Sequence, residues 1–419
     1  MKVLIAGGGV AGLEAALTLR ELAPDQAEVT MLAPDETFEI RALSVRDAFG
    51  RAQAPRHALS DLAQDAGFTL TPGRLASVDP AAKVVRDTDG GEHAYDALLV
   101  AIGARPEPAL PHAATFAGPQ DAEAMHGVLE DLESGYAKRI AFVAPPHATW
   151  PLPVYELALM TAERAASLGI DDISIAVVTP EDAPLGIFGE QASAALTSLL
   201  AERNIAVMTS TAVEPSARVP EIDLGEARGG LKVDRVVALP ALHGPRIEGL
   251  PADDEGFLPI DEHGAVRGVD HVWAAGDGTD YAVKQGGIAA QQADVAAEAI
   301  AAAAGADVDP RPFRPVLRGI LLTGDGQRWL RKAVEGSETP DAGETVAEHA
   351  LWWPPTKVAG RRLAPFLWQR EEEGVAPTPP ENSGVEVDHP LHPPAHAPRR
   401  RVVLSNEGPE GHLELLELD

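Results

Sequence analysis

MKVLIAGGGVAGLEAALTLREL, residues 1–22, decides how the rest of the chain is read. Val3, Leu4, Ile5 and Ala6 form a short apolar run, as expected of a strand buried on both faces. Gly7, Gly9 and Gly12 follow in the spacing G-x-G-x-x-G, and from Ala11 to Leu22 apolar residues recur at helical spacing. Strand, glycine turn, helix is the order in which this motif means dinucleotide binding. Gly7 permits the tight turn and Gly9 lets the backbone approach a pyrophosphate. Gly12 lets helix and strand pack closely, and the helix N-terminus, which opens at Ala11, attracts the anion.

Downstream, Glu28–Leu32 (EVTML) reads as the second strand. Its end is where an acid that binds a ribose hydroxyl is expected, about 20 residues past the glycines. That place is Ala33, followed by Pro34, Asp35 and Glu36. Asp35 is the candidate for the role, and a solvated turn is the alternative. Residues 40–62 are mixed and polar, with Arg41, Arg46, Arg51 and Arg56. Phe68–Leu75 and Lys83–Val85 predict strands of a small inserted sheet. The segment Tyr95–Pro106, YDALLVAIGARP, returns to the core as an apolar strand ending at Gly103.

A second α/β unit opens near Arg139. It predicts strand Ile140–Val143, helix Tyr155–Leu168, strand Ile173–Val178, helix Gly189–Arg203 and strand Ile205–Met208, a doubly wound order again. Its first turn reads APPHATWPLP from Ala144 to Pro153, without a glycine. Prolines lack the N–H groups that cradle a pyrophosphate. Val233–Leu239 is a further apolar strand, VWAAGD (Val272–Asp277) another, and Gly286–Ala304 an alanine-rich helix.

The chain has 419 residues, enough for two or three domains with a sizeable core, and 45% of them are hydrophobic. A formal net charge of −30 argues against nucleic acid and against general adsorption to anionic membranes. There is no cysteine, which excludes disulfides, thiolate metal sites and a redox-active cysteine pair. The first apolar run is too short for a signal peptide, and no uninterrupted run is long enough to span a bilayer. A cytoplasmic location is therefore expected.

Three segments now form a set: GGGVAG near residue 7, YDALLVAIGARP near residue 95 and VWAAGDG near residue 272. With the glycine-poor second unit between the last two, they resemble the FAD-dependent pyridine nucleotide-disulfide oxidoreductase-like flavoproteins, built on two dinucleotide-binding domains. The resemblance covers roughly residues 1–330. It is strongest to the branch of sulfide:quinone oxidoreductases, flavocytochrome c sulfide dehydrogenase and type II NADH dehydrogenases. The sulfide-type likeness rests on VTPEDAPLGIFGEQASAAL (Val178–Leu196) and AAGDGTDYAVKQGGIAAQQA (Ala274–Ala293).

This resemblance implies an α/β fold of two Rossmann-like doubly wound units with a C-terminal cap. It divides the chain into a split FAD domain (1–111 and 241–310), an inserted NAD-binding-like domain without its glycine loop (112–240) and a cap (311–370); composition then marks 371–419 as a Pro/His-rich arm, with Arg401–Leu404 and His412–Leu418 as candidate strands of a terminal β-hairpin. Gly7, Gly9, Ala11 and Gly12 would hold the FAD pyrophosphate, and Leu75 would offer backbone groups to adenine. Gly103 would lie against the cofactor. Asp277 would bind a ribityl hydroxyl, with Gly276 allowing close approach. The helix opening at Gly286 and Gly287 would point its positive end at the flavin pyrimidine edge, aided by Lys284.

The departures bear equally on function. The family's sulfide oxidation uses cysteines beside the flavin, and its NAD(P)H reduction uses a second glycine motif; neither is present. The leading expectation is an FAD-dependent oxidoreductase moving electrons from an undetermined small-molecule donor to a small acceptor such as a quinone. The alternatives are an NAD(P)H dehydrogenase with a non-standard nucleotide site and a non-catalytic FAD-binding protein. No catalytic acid or base is assigned, and no metal is expected. His147 and Trp150 lie on the proline turn, where His147 reads as a loop histidine rather than a proton relay. His389, His392 and His396 lie in a proline-rich stretch that breaks any helical ligand face.

The last expectation concerns Leu351–Arg370, which carries Trp352, Trp353 and Trp368 with Lys357, Arg361, Arg362 and Arg370 and no acid. A helix from Pro354, bent at Pro365, is predicted. A membrane-touching surface and a buried cap are the two readings, and the cap is favoured, with Trp352 and Trp353 largely buried. A homodimer is left open.

Overall fold

The computed structural model describes residues 1–50, 54–213, 221–223, 230–334 and 345–372. Strand β1 (Lys2–Ala6) runs through the glycine turn into helix α1 (Val10–Leu22), and β2 (Glu28–Ala33) returns parallel to β1. β3 (Thr69–Pro72) then pairs parallel with β2. This differs from the expected inserted sheet: Thr69–Pro72 is the edge strand of the main sheet. The small antiparallel sheet starts only at β4 (Leu75–Asp79) and continues with β5 (Val84–Asp87) and β6 (Glu92–Ala94). The apolar strand β7 (Ala97–Val100) pairs with β1 on its other side.

The second unit comprises β8 (Ala114–Thr115), β9 (Arg139–Val143), α2 (Leu152–Ser167), β10 (Ser174–Val178), α3 (Glu190–Glu202), β11 (Ile205–Met208) and β12 (Arg235–Ala238). Its sheet is parallel in the order β8-β12-β9-β10-β11. The chain then returns to the first unit. β13 (Val272–Ala274) completes the first sheet, parallel in the order β13-β7-β1-β2-β3, and α4 (Gly286–Ala303) packs along α1.

Period-two burial explains why both sheets are central. In β1, Val3 and Ile5 join a core with α1 and α4, while Leu4 and Ala6 join one with the small antiparallel sheet. In β9, Ile140 and Phe142 face α2, and Ala141 and Val143 face the opposite core.

An antiparallel sheet of β14 (Val316–Leu322), β15 (Gln327–Ala333) and β16 (Thr345–Ala347) forms the C-terminal cap. It shares one core with α2: Leu317, Ile320 and Trp329 pack with Leu152, Tyr155 and Phe188, and Trp352 meets Trp329 edge-on at 4.4 Å.

Helix α5 (Leu363–Glu372) begins nine residues later than the predicted start at Pro354. The reason is tertiary. The buried Glu14 carboxylate accepts from Arg362 N at 2.6 Å and Leu363 N at 2.9 Å, which fixes the helix start there. Pro365 falls in the first turn, where its missing N–H is harmless. Trp352 is buried as expected. Trp353 is only half-buried and packs against Trp368 at 5.2 Å.

The basic residues of this segment meet acids of the protein. Lys357 pairs with Glu156, Arg362 with Asp294 and Glu21, Arg361 with Glu298, and Arg370 with Asp65. No helix among the described residues is long and apolar enough to cross a membrane. The Pro/His-rich arm from residue 373, the expected terminal hairpin and His389, His392 and His396 lie outside the described residues.

Candidate cofactor site

The site grows from the turn after β1. Gly7 has φ +116°, and its N–H donates to Leu32 O at 2.9 Å. A Cβ on Gly7 would lie 2.3 Å from the Ala101 carbonyl oxygen, and one on Gly12 would lie 2.0 Å from the Gly7 carbonyl oxygen. Strand, turn and helix are therefore packed backbone on backbone. Gly9 is different: a Cβ there would meet nothing within 4 Å. The packing leaves open the direction in which the turn's N–H groups and the start of α1 would meet an anion.

The other two segments close on this turn. Ala101 N donates to Ala6 O at 2.7 Å, and Ala275 N donates to Val100 O at 3.0 Å. A Cβ on Gly276 would lie 3.3 Å from that of Ala11, and one on Gly278 would lie 3.0 Å from the Gly103 carbonyl oxygen. Gly103 itself borders open space. Gln292 of α4 holds the turn: its Oε1 accepts from Gly276 N at 2.8 Å, and its Nε2 donates to Thr279 Oγ1 at 3.2 Å.

Asp277 follows that turn, half-buried, and no group among the described residues donates a hydrogen bond to its carboxylate. Burial pushes its carboxyl above the ordinary range, opposed by the charges of Lys284 and Arg41. Lys284 is 6% exposed; its ammonium donates to the Thr279 carbonyl and lies 3.8 Å from the centre of the Phe257 ring. Burial lowers its pKa to about 8 against the surrounding Asp277, Asp280, Asp253 and Glu255.

The remaining predicted residues fall in several places. Gly286 and Gly287 open α4, and Gln285 Oε1 accepts from Ile288 N at 2.8 Å. A Cβ on Gly286 would lie 2.8 Å from Val358 Cγ2, so the cap packs on the start of this helix. Leu75 is buried as the first residue of β4, opposite Asp87. Asp35 is exposed in the turn after β2. His147 is exposed at φ +63°, and Trp150 meets Phe188 edge-on at 5.6 Å. Among the described residues no group of three or more His, Asp or Glu is arranged to hold a metal.

Two features escaped the sequence reading. Arg41 stood in a mixed stretch without a motif, yet its charge reaches Asp277. The second is a buried ion pair. Lys357 Nζ donates to Glu156 Oε1 and Oε2 at 2.6 and 2.7 Å and to Ala42 O at 3.1 Å, and Glu156 Oε1 also accepts from Leu322 N at 2.9 Å. Burial raises the Glu156 carboxyl and lowers the Lys357 ammonium, each opposed by the other. The one available signal was a lone acid in the apolar run LPVYELALM.

Among solved structures, the fold is similar to a sulfide:quinone oxidoreductase from Aquifex aeolicus, 19% identical over 89% of this chain and 90% of that one, with a TM-score of 0.74. It is also similar to a ferredoxin reductase from Rhodopseudomonas palustris, 18% identical over 81% and 84% with a TM-score of 0.61. A NAD-dependent persulfide reductase from A. fulgidus is 18% identical over 84% and 72%, with a TM-score of 0.58. The family model for pyridine nucleotide-disulphide oxidoreductases matches residues 1–143 and 156–303, and so contains all three converging segments. The chain belongs to that family: it is an FAD-dependent oxidoreductase.

Proposed function

We propose that this enzyme passes electrons from a small-molecule donor through FAD to a small apolar acceptor of the quinone class. The observation that carries the reading is the convergence of the turns at Gly7–Gly12, Gly103 and Gly276, with nothing within 4 Å of a Cβ on Gly9 or Gly103, beside the Asp277 carboxylate, which has no hydrogen-bond donor among the described residues. When bound, FAD supplies the two-electron chemistry. In this reading Gly7, Gly9, Ala11 and Gly12 hold its pyrophosphate, and Asp35 and Leu75 face its adenosine end. Asp277 accepts from ribityl hydroxyls, and Gly103 and Gly276 permit close approach. Arg41 adds a positive charge near Asp277. The start of α4 at Gly286 and Gly287, with Lys284, favours negative charge at the pyrimidine edge.

The quinone assignment draws on the similarity to a sulfide:quinone oxidoreductase and on Ile102. This apolar residue stays 38% exposed next to Gly103, where a flat hydrophobic ring would cover it. A persulfide on the protein is excluded as an intermediate, because the chain has no cysteine. Lys357 donates to Glu156 one residue from Val358, which packs on the start of α4, and we assign this pair proton delivery to the reduced acceptor.

The test starts with the visible spectrum of the purified protein, which should show bound flavin. After photochemical reduction under anaerobic conditions, a water-soluble quinone should reoxidise it rapidly. The neutral double variant Glu156→Gln plus Lys357→Met should keep the flavin spectrum and lose at least about tenfold in quinone turnover. A protein that binds no flavin, or a reduced protein inert to quinones, overturns the reading.

A further inference from the structure

The family is defined by two nucleotide sites, and the second one does not fit its ligand here. A nicotinamide dinucleotide held in a doubly wound unit needs N–H donors in the first turn and an acid after the second strand to read a ribose. In the turn after β9, Pro145, Pro146, Pro151 and Pro153 have no N–H. The N–H of Ala144 donates to Val178 O at 2.9 Å, that of Ala148 to Pro145 O at 3.0 Å and that of Val154 to Pro151 O at 3.0 Å. The family match itself breaks off at residue 143 and resumes at 156, leaving out this turn.

The acid is spent as well. Glu181 follows β10, and its Oε2 accepts from the Tyr155 hydroxyl at 2.6 Å and from Thr179 Oγ1 at 3.0 Å. Its own backbone accepts from Ser210 N at 2.7 Å. Tyr155 comes from the first turn of α2 and is completely buried, so the helix that would face a pyrophosphate turns a side chain back onto the ribose-reading position. Burial raises the Glu181 carboxyl, while Tyr155, Thr179 and the N–H groups of Leu185 and Gly186 favour its charge. The cap seals the flank: a Cβ on Gly319 of β14 would lie 2.8 Å from Phe188 and 3.1 Å from Leu152.

We infer that the second domain has exchanged its dinucleotide site for an internal Tyr155–Glu181 plug, so that neither NADH nor NADPH is the electron donor. This narrows the donor in the function proposed above, on which it rests, to reductants that reach the flavin without an adenosine-phosphate anchor.

Calorimetric titration of the holoprotein with NAD+ and NADP+, which are inert toward oxidised flavin, reads the plug without turnover. The expected result is no saturable heat into the millimolar range; a micromolar Kd for either nucleotide overturns the inference. Glu181→Gln should lower Tm by about 3 °C or more, because an amide has one acceptor oxygen where the buried carboxylate offers two to Tyr155, Thr179 and the N–H groups of Leu185 and Gly186. Tyr155→Phe gives the graded reading if Glu181→Gln does not fold. An unchanged Tm in both variants also overturns the inference, since Glu181 would then be free to serve a ribose. The titration does not depend on flavin, so a protein without FAD would defeat the proposed function and leave this inference standing.

Discussion

The turn after β1 and the turn after β9 occupy the same place in two copies of one architecture, and they have opposite chemistry. The first places three glycines between strand and helix and leaves the space beside Gly9 open. The second carries four prolines and no glycine, and beside it a buried tyrosine donates to a carboxylate. Both sheets remain parallel, and both keep apolar faces on two sides. A doubly wound unit therefore persists without a glycine turn, because its stability lies in sheet burial rather than in a few turn residues. The second unit has also gained a partner: the cap packs Trp329 and Leu317 into the core that α2 lines.

Three experiments sharpen this comparison. The largest effect is expected at Gly12, where any side chain must displace the Gly7 carbonyl. Gly12→Val should destabilise by more than about 4 kcal/mol and prevent recovery of folded protein. Pro146→Ala in the second turn should change stability by no more than about 0.5 kcal/mol. Chemical denaturation compares the two, and equal stabilities would erase the difference between the turns.

The next effect separates binding from folding within the first turn. Gly9 borders nothing within 4 Å, so Gly9→Val should leave the apoprotein within about 1 kcal/mol of its parent. FAD affinity should fall at least about 100-fold, or about 2.7 kcal/mol, because the side chain occupies the pyrophosphate path. Apoprotein melting and flavin fluorescence measure the two quantities. A variant that retains flavin would show that the open space is not the cofactor's.

The smallest effects are pH dependences of opposite sign in the two crevices. The pKa of Lys284 falls from 10.5 to about 8 on folding. Between those values the unfolded chain holds a proton that the native chain lacks, so this group makes apoprotein stability rise with pH, by at most about 1.4 kcal/mol per unit. In the second crevice the Glu181 carboxyl is raised above 4.5. Its contribution is complete below that pH and is lost as pH rises through the folded value. Lys284→Met should remove the alkaline rise and Glu181→Gln the acidic fall, each read from denaturation midpoints across pH.

Much of this molecule was legible in one dimension. The glycine spacing, the apolar strands and the helical periods are local patterns, set by sterics and by which face must leave water. They were enough for the two parallel-sheet units, the three converging turns and the proline-blocked second turn. They misassigned Thr69–Pro72, because edge pairing with β2 is decided by what lies beside a strand, not by its own residues. They misplaced the start of α5, because Glu14 caps it from 348 positions away. They were silent on Lys357–Glu156, separated by 201 positions, and on Tyr155–Glu181. Local propensity determined which elements exist and which of the two turns carries glycine and which proline. Only the folded packing decided which buried charges meet, because a lone charge is unfavourable in a core and its partner is fixed by proximity in space.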